Sequence, residues 1–287
     1  MVMTIGQALQ NSNKKLAALG NVNLNFDVTM LLCHVLKKDR LFLLTNQAQE
    51  IQSELYAQYL EMLERYALGQ PLQYIIGSQE FMSLPFIVNE NVLIPRQDTE
   101  TLVEQVLARI APDAKLHILD IGTGSGCIAI SLAHYRKNLS VVAMDISSEA
   151  LAVAKQNAIN NQVARRISFL QQDVFTLWQD DKATQTFDII VSNPPYITAQ
   201  VVETLDKKVR AYEPYGALCG GKDGLDYYRH IIQNGKKALK QGGWMALEIG
   251  YDQREAVERL FRDHGYGNIE TIKDYAGNDR VVSGNWA

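Results

Sequence analysis

The chain has 287 residues, 47% of them hydrophobic and 21% charged, and a formal net charge of −4. This is the balance of a soluble protein able to bury a large core and a smaller second one, and it excludes a protein that coats nucleic acid through bulk positive charge. Cys33, Cys127 and Cys219 are few, odd in number and far apart, with no CxxC pair and no Cys–His spacing that could hold a structural metal, which suits a reducing cytoplasm. The amino-terminal stretch lacks the charged start and apolar core of a leader, and no apolar run is long enough to span a bilayer, so a cytosolic protein without membrane association is expected.

Helical spacing dominates the first part of the chain. Short amphipathic patterns run from Ile5 to Leu19 and from Phe26 to Leu36. In the longer run after Glu50, Ile51, Leu55, Tyr59, Met62, Leu63 and Tyr66 recur at three- and four-residue intervals until Gly69 and Pro71 stop them. Residues 1–72 therefore predict a small helical bundle. From Gln73 the pattern becomes rich in Ile, Val and Phe with Gly77, Pro85 and Asn91 as punctuation, which predicts a β-hairpin linker over 73–95.

Residues 96–287 alternate. Short β-rich runs at 115–121, 140–146, 167–173, 187–192 and 243–249 are separated by helical patterns at about 126–135, 148–161, 224–240 and 252–264. Such alternation predicts a parallel sheet covered by helices on both faces, with ligands at the carboxyl ends of the strands. The tail departs from it and reads as an antiparallel edge hairpin turning at Ala276-Gly277.

The first strand of this region ends in Gly122-Thr123-Gly124-Ser125-Gly126 and runs into a helix. Glycines there let a ligand approach the backbone, and the helix start offers free N–H groups; alone, this is a weak signal, with a plain structural turn as the alternative. The spacing is GxGxG, not the GxGxxG of dinucleotide sites, and no Gly-Lys-Ser/Thr phosphate loop is present. Asp145 ends the second strand, where a carboxylate can accept both hydroxyls of a ribose or simply open a helix. Asp173 ends the third, beside an adenine edge or as a helix cap. Together they describe a cleft for an adenosine carrying something other than a pyrophosphate. These positions resemble the S-adenosylmethionine site of the class I methyltransferases.

In that family the fourth strand lies beside the first, and here it ends in Asn193-Pro194-Pro195-Tyr196. Two prolines fix two φ angles and remove two donors, so the turn is stiff. An amide or exocyclic amine is a poor nucleophile because its lone pair is delocalised. The Asn193 side-chain oxygen and the Pro194 carbonyl can grip its two hydrogens and aim the lone pair, while Tyr196 can stack on the planar group; catalysis would then be mainly positional. The [D/N/S]PP[Y/F/W] form limits the acceptor to a planar nitrogen: adenine N6, guanine N2 or a glutamine amide.

A wider set of blocks, "QPLQYIIGSQEF", "VLIPRQDTE", "LDIGTGSGCIAISLA", "FDIIVSNPPYI", "YEPYGALCGGKDGLDYYRHII" and "ALEIGYDQ", resembles the HemK/PrmC family, the protein-(glutamine-N5) methyltransferases of peptide chain release factors. The resemblance implies a Rossmann-like α/β fold with a seven-stranded, mostly parallel sheet and a small amino-terminal helical domain that helps to hold the substrate. It implies methylation of the Gln in the Gly-Gly-Gln motif of class 1 release factors by S-adenosyl-L-methionine, leaving S-adenosyl-L-homocysteine, with no metal and a monomeric enzyme. The family's cofactor residues fall on Gly122, Thr123, Gly124, Ser125, Gly126, Asp145, Asp173, the residue after it and Asn193; its substrate residues fall on Asn193, Pro194, Pro195 and Tyr196. A bulky residue follows the third-strand acid in the family, whereas Val174 and then Phe175 stand here, and either could lie on the adenine. The family block Arg-Pro-(Glu/Asp)-Thr reads Arg96-Gln97-Asp98-Thr99, without the proline that stiffens the approach to the next helix.

Arg96 reads either as a group orienting acids near the cleft or as a partner of Asp98 or Glu100. Glu213 reads as support for the site or as a solvated loop acid. Lys236, Lys237 and Lys240 are expected at a helix end, offsetting the helix dipole, and the five His residues have no catalytic spacing. Two other functions remain compatible with these residues. A DNA adenine-N6 or ribosomal RNA guanine-N2 methyltransferase would need phosphate contacts and, for duplex DNA, base flipping, yet the basic residues of the helical region are diluted by acids; direct binding of nucleic acid is not expected. A non-catalytic adaptor would bind the cofactor without needing the Asn-Pro-Pro-Tyr turn.

Overall fold

A computed structural model describes residues 3–17, 24–177 and 185–286. The chain divides into two compact units, Met1–Gly77 with Lys207–Tyr212, and Ser78–Asp206 with Glu213–Ala287.

The first unit is built from helices Ile5–Ala17, Leu24–Leu36, Arg40–Thr45, Ser53–Ala67 and Leu72–Ile76; the last two residues of the helix expected from Ile5 to Leu19 lie outside the described residues. Ile5, Leu16, Leu31, Leu32, Leu43 and Leu63 close one core. Tyr59 is buried among them, its hydroxyl donating to Ser12 Oγ at 2.8 Å, which removes the penalty of burying a phenol. The segment Lys207–Tyr212 joins this unit, with Lys208 Nζ 3.3 Å from the Tyr66 hydroxyl. Residues 73–76 form a helical turn rather than the start of a hairpin. Pro71 presets its entry, and Gly77, at φ 80°, takes the left-handed conformation that ends it.

The second unit opens with the hairpin Ser78–Phe81 and Leu84–Ile87, turned through Met82 and Ser83 at φ 50° and 56°. Asn157 pins its end: the side chain accepts from Ile87 N at 2.7 Å and donates to the carbonyls of Ile87 and Ser125 at 3.0 and 2.9 Å.

The main sheet has strands β1 (His117–Ile121), β2 (Ser140–Asp145), β3 (Ile167–Gln171), β4 (Phe187–Ser192), β5 (Leu239–Glu248), β6 (Tyr266–Lys273) and β7 (Asp279–Trp286), in the order β6-β7-β5-β4-β1-β2-β3. All neighbours are parallel except at β7, which is antiparallel to both β5 and β6. Successive side chains of the central strands enter opposite cores. Ile189 and Val191 of β4 pack with helices Glu100–Arg109 and Cys127–Tyr135, while Ile190 packs with Ile231, Ile232 and Val257 on the other face; burial on both faces is why these strands read as continuous apolar runs.

The helix expected over 224–240 spans only Asp226–Gly235, because the chain must leave it early for Leu239 to pair with Phe187. Lys240 consequently lies in β5, not at a helix end, and its ammonium bonds Asp188 at 2.8 Å. Among the described residues, no helix is long and apolar enough to cross a membrane.

Candidate active site

Strand order reverses between β1 and β4, and the ends of two such strands leave a crevice. Ile121 pairs with Ser192, whose hydroxyl donates to the Ile121 carbonyl at 2.7 Å. The next residue on each strand, Gly122 and Asn193, therefore emerges beside the other. Both line a cavity of about 450 Å³ together with Gly124, Asp145, Asp173, Val174, Pro194 and Pro195.

Gly122 and Gly124 have φ of 69° and 54°, and no heavy atom lies within 4 Å of where a β-carbon would stand, so any side chain there would be strained. Gly126, at φ 83°, has the opposite constraint: a β-carbon would meet Ile130 Cδ1 at 2.8 Å and Ala154 Cβ at 3.1 Å. It packs the helix rather than lining the cavity. Thr123 and Ser125 are buried behind the loop. The Thr123 hydroxyl donates to Asp120 Oδ2 at 2.6 Å, and the Ala129 N–H reaches the same oxygen at 3.3 Å. Burial pushes the Asp120 carboxyl up to about 7, against the pull of the Thr123 bond. Asp145 accepts from Gly124 N at 2.8 Å and from Ser147 N at 3.0 Å, one bond to each oxygen. Each carboxylate oxygen has a second lone pair, so the acid is aimed while it can still accept from a ligand.

Asp173 caps the short helix Val174–Leu177 by accepting from Phe175 N at 2.9 Å, and it also borders the cavity. Of the two residues after it, Val174 is buried and lines the cavity. Phe175 turns to Tyr227 and His230, each with ring centroids 5.0 Å away.

The Asn-Pro-Pro-Tyr turn is braced from behind. Ile197 N donates to the Leu218 carbonyl at 3.0 Å, Gly220 N to the Ile197 carbonyl at 2.8 Å, and Gln253 Nε2 to the Tyr196 carbonyl at 3.1 Å. Gly220 sits so close that a β-carbon would lie 2.6 Å from the Pro195 carbonyl oxygen. Asn193 Nδ2 donates to Thr99 Oγ1 at 3.0 Å, which turns Oδ1 away from Thr99. The Tyr196 ring packs against the core holding Tyr228 and Leu247 and is not part of the cavity lining; burial, then the nearby Glu248 carboxylate, raises its phenol pKa.

Arg96 pairs with Glu213 at 2.6 Å rather than with Asp98 or Glu100, and Asp98 is held by Arg280 at 3.3 Å. Glu213 is no solvated acid: its side chain is 2% exposed. These two ion pairs hold the turn Gln97–Thr99. Sequence reasoning missed the segment Glu90–Leu93, Tyr227 and Ile231, which also line the cavity, and it missed Glu248, fully buried at the end of β5. A lone acid closing the apolar run "GWMALE" was the available signal for the last.

Strand order, glycine loop and proline turn, with a family model described as "Methyltransferase domain" matching residues 112–273, define a class I methyltransferase. A crystal structure of a methyltransferase from Pyrococcus furiosus, 18% identical, shares the fold at a TM-score of 0.51 over 82% of this chain and 98% of that one. The amino-terminal region matches a second model, "PrmC N-terminal domain", over residues 7–77. The release factor glutamine methyltransferase of Clostridium botulinum is 41% identical over 93% of this chain and 93% of its own length, and that of Aliivibrio fischeri is 40% identical over 100% and 99%. The chain belongs to the release factor glutamine methyltransferase family.

Proposed function

We propose that this protein transfers a methyl group from S-adenosyl-L-methionine to the side-chain amide nitrogen of the glutamine in the Gly-Gly-Gln motif of class 1 release factors. The observation that carries the reading is the side-by-side emergence of Gly122 and Asn193 at one cavity, joined to the identity with release factor glutamine methyltransferases over nearly the whole chain. The cavity suits the cofactor's shape and chemistry. Gly122 and Gly124 leave open space for it, Asp145 would take the ribose hydroxyls, and Asp173 and Val174 would border the adenine. When bound, S-adenosyl-L-methionine supplies an electrophilic methyl on a sulfonium.

The chain's own part is to hold the acceptor. Asn193 Oδ1 and the Pro194 carbonyl accept the two amide hydrogens, which aligns the nitrogen lone pair with the methyl. Such alignment lowers the barrier through prepaid orientation. Transfer would form one N–C bond on the acceptor at the expense of the donor's S–C bond, and the methylated amide would release one proton to water, so no strong base is required of the chain. Pro195 stiffens the turn, and Tyr196, whose ring packs into the core rather than lining the cavity, anchors its far end. The helical unit, expected over residues 1–72, helps to hold the release factor in a monomeric, cytoplasmic enzyme.

The test is transfer of labelled methyl to a purified class 1 release factor, beside the same factor with its Gly-Gly-Gln glutamine replaced, naked DNA and ribosomal RNA. Label is expected on the intact factor alone. Label on nucleic acid would retain the turn's chemistry and overturn the substrate.

A further inference from the structure

One guanidinium on the edge hairpin is connected to both ends of the Asn-Pro-Pro-Tyr turn. Arg280, in β7, is 7% exposed. Its Nε and Nη2 donate to Asp274 Oδ2 at 3.1 and 3.0 Å, its Nη1 donates to the Ile249 carbonyl at 3.1 Å, and Nη2 also lies 3.3 Å from Asp98 Oδ2. Asp274 is itself set by the hairpin turn, its Oδ1 accepting from Ala276 N and Asn278 N, both at 2.9 Å. The rigid fork of an arginine serves several partners in fixed directions, which the single point charge of a lysine does not. Two of these partners lead to the turn. Asp98 precedes Thr99, whose Oγ1 lies 3.0 Å from Asn193 Nδ2. Ile249 precedes Gly250, whose N–H donates to Gln253 Oε1 at 3.0 Å, and Gln253 Nε2 donates to the Tyr196 carbonyl at 3.1 Å.

We propose that Arg280 is a positioning residue for methyl transfer: through Asp98 and Thr99 it locates Asn193, and through Ile249 and Gln253 it locates Tyr196, so that the turn between them presents its oxygens to the acceptor at a fixed place. The inference rests on the proposed function, in which Asn193 Oδ1 and the Pro194 carbonyl hold the acceptor amide. Arg280 does not line the cavity, so its effect on the reaction passes through the turn. The grip on Ile249 is made twice, since Ile249 N also donates to the Arg280 carbonyl at 2.8 Å. The cofactor side of the cavity hangs from other groups, the Gly122 to Gly126 loop and Asp145, which leaves donor binding independent of this arginine.

The test compares Arg280→Lys, Asp98→Ala and Asp98→Asn by kcat and KM with a purified class 1 release factor, beside calorimetric binding of S-adenosyl-L-methionine. Arg280→Lys keeps the charge but loses the fork, so kcat is expected to fall on the order of 10- to 100-fold with cofactor affinity held within about twofold. Asp98 is 53% exposed, so its replacement spares the core. Asp98→Ala cuts the Asn193 arm alone and should lower kcat about fivefold, while Asp98→Asn, whose amide oxygen can still accept from the guanidinium, restores most of it. In the Arg280→Lys background the Asp98→Ala loss should vanish, because residues acting through one contact are non-additive. A role confined to stability would lower the unfolding temperature and leave kcat per folded enzyme unchanged. A kcat within about twofold of the parent's in Arg280→Lys, a loss of cofactor affinity in step with kcat, or an Asp98→Ala effect that multiplies undiminished in the double variant overturns the proposal. If Arg280→Lys does not fold, the Asp98 pair decides: parental kcat in Asp98→Ala, or no recovery in Asp98→Asn, overturns it. Asn193→Ala and the parent separate the two readings. A parent that does not label the release factor, or an Asn193→Ala variant that turns over normally, sinks the proposed function; a labelled factor, an inactive Asn193→Ala and an undiminished Arg280→Lys sink the positioning role alone.

Discussion

Two loops leave neighbouring strands of one sheet and are built on opposite rules. After β1, the glycine loop is shaped by left-handed residues and by carboxylates reaching into it, Asp145 to Gly124 N and Asp120 to Thr123. After β4, the Asn-Pro-Pro-Tyr turn has its φ angles fixed covalently and is buttressed by the backbone of Leu218 to Gly220. The first can be approached closely by a ligand because it lacks side chains; the second can offer lone pairs in fixed directions because it lacks backbone donors. A methyl transferase needs both at one place, a site that fits its donor and a site that orients its acceptor.

The contrast can be broken by exchanging the two kinds of damage. The largest effect is expected from Gly220→Ala. Its β-carbon would lie 2.6 Å from the Pro195 oxygen and 2.8 Å from Tyr196 Cα, so the turn must move, and kcat should fall on the order of 100-fold while cofactor affinity holds. Equal loss in both quantities would show that the turn is not an acceptor device. A smaller and opposite signature is expected from Gly124→Ala, where the left-handed φ of 54° costs a side chain about 1 kcal/mol and the new methyl enters the cavity. Calorimetry should show cofactor affinity weakened about tenfold, with turnover at saturating cofactor nearly kept.

The smallest effect is thermodynamic. Burial raises the Asp120 carboxyl from 3.8 to about 7. The folded chain thus binds a proton there that the unfolded chain has already lost, and this group's contribution to stability declines as pH rises across that window. Asp120→Asn should flatten the pH dependence of urea unfolding between the two values, leaving the share that comes from Glu248, raised to about 7 by the same cause. An unchanged slope would mean that Asp120 titrates normally.

The sheet and both loops were legible because periodicity, glycine spacing and paired prolines are local signals. Even the edge hairpin about Gly277 was readable in this way. The cavity's other wall was not. Glu90 to Leu93 and Tyr227 reach it through tertiary packing, and nothing in their neighbours' spacing says so. Arg96 and Glu213 are 117 positions apart and meet only because the sheet brings their loops together. Val174 and Phe175 were separable only by the turn into the short helix, which sends one ring to Tyr227 and leaves the valine at the cavity. The end of the helix at Gly235 was likewise set by strand pairing, not by local propensity.

Asn157 joins the hairpin at Ile87 to the glycine loop at Ser125 through one wholly buried amide. The hairpin leads directly into Glu90 to Leu93, so two walls of the cavity hang from a common fastening. Its aperture is therefore gauged from outside the chemistry: the gap between the glycine loop and the opposite wall is a dimension carried by the scaffold.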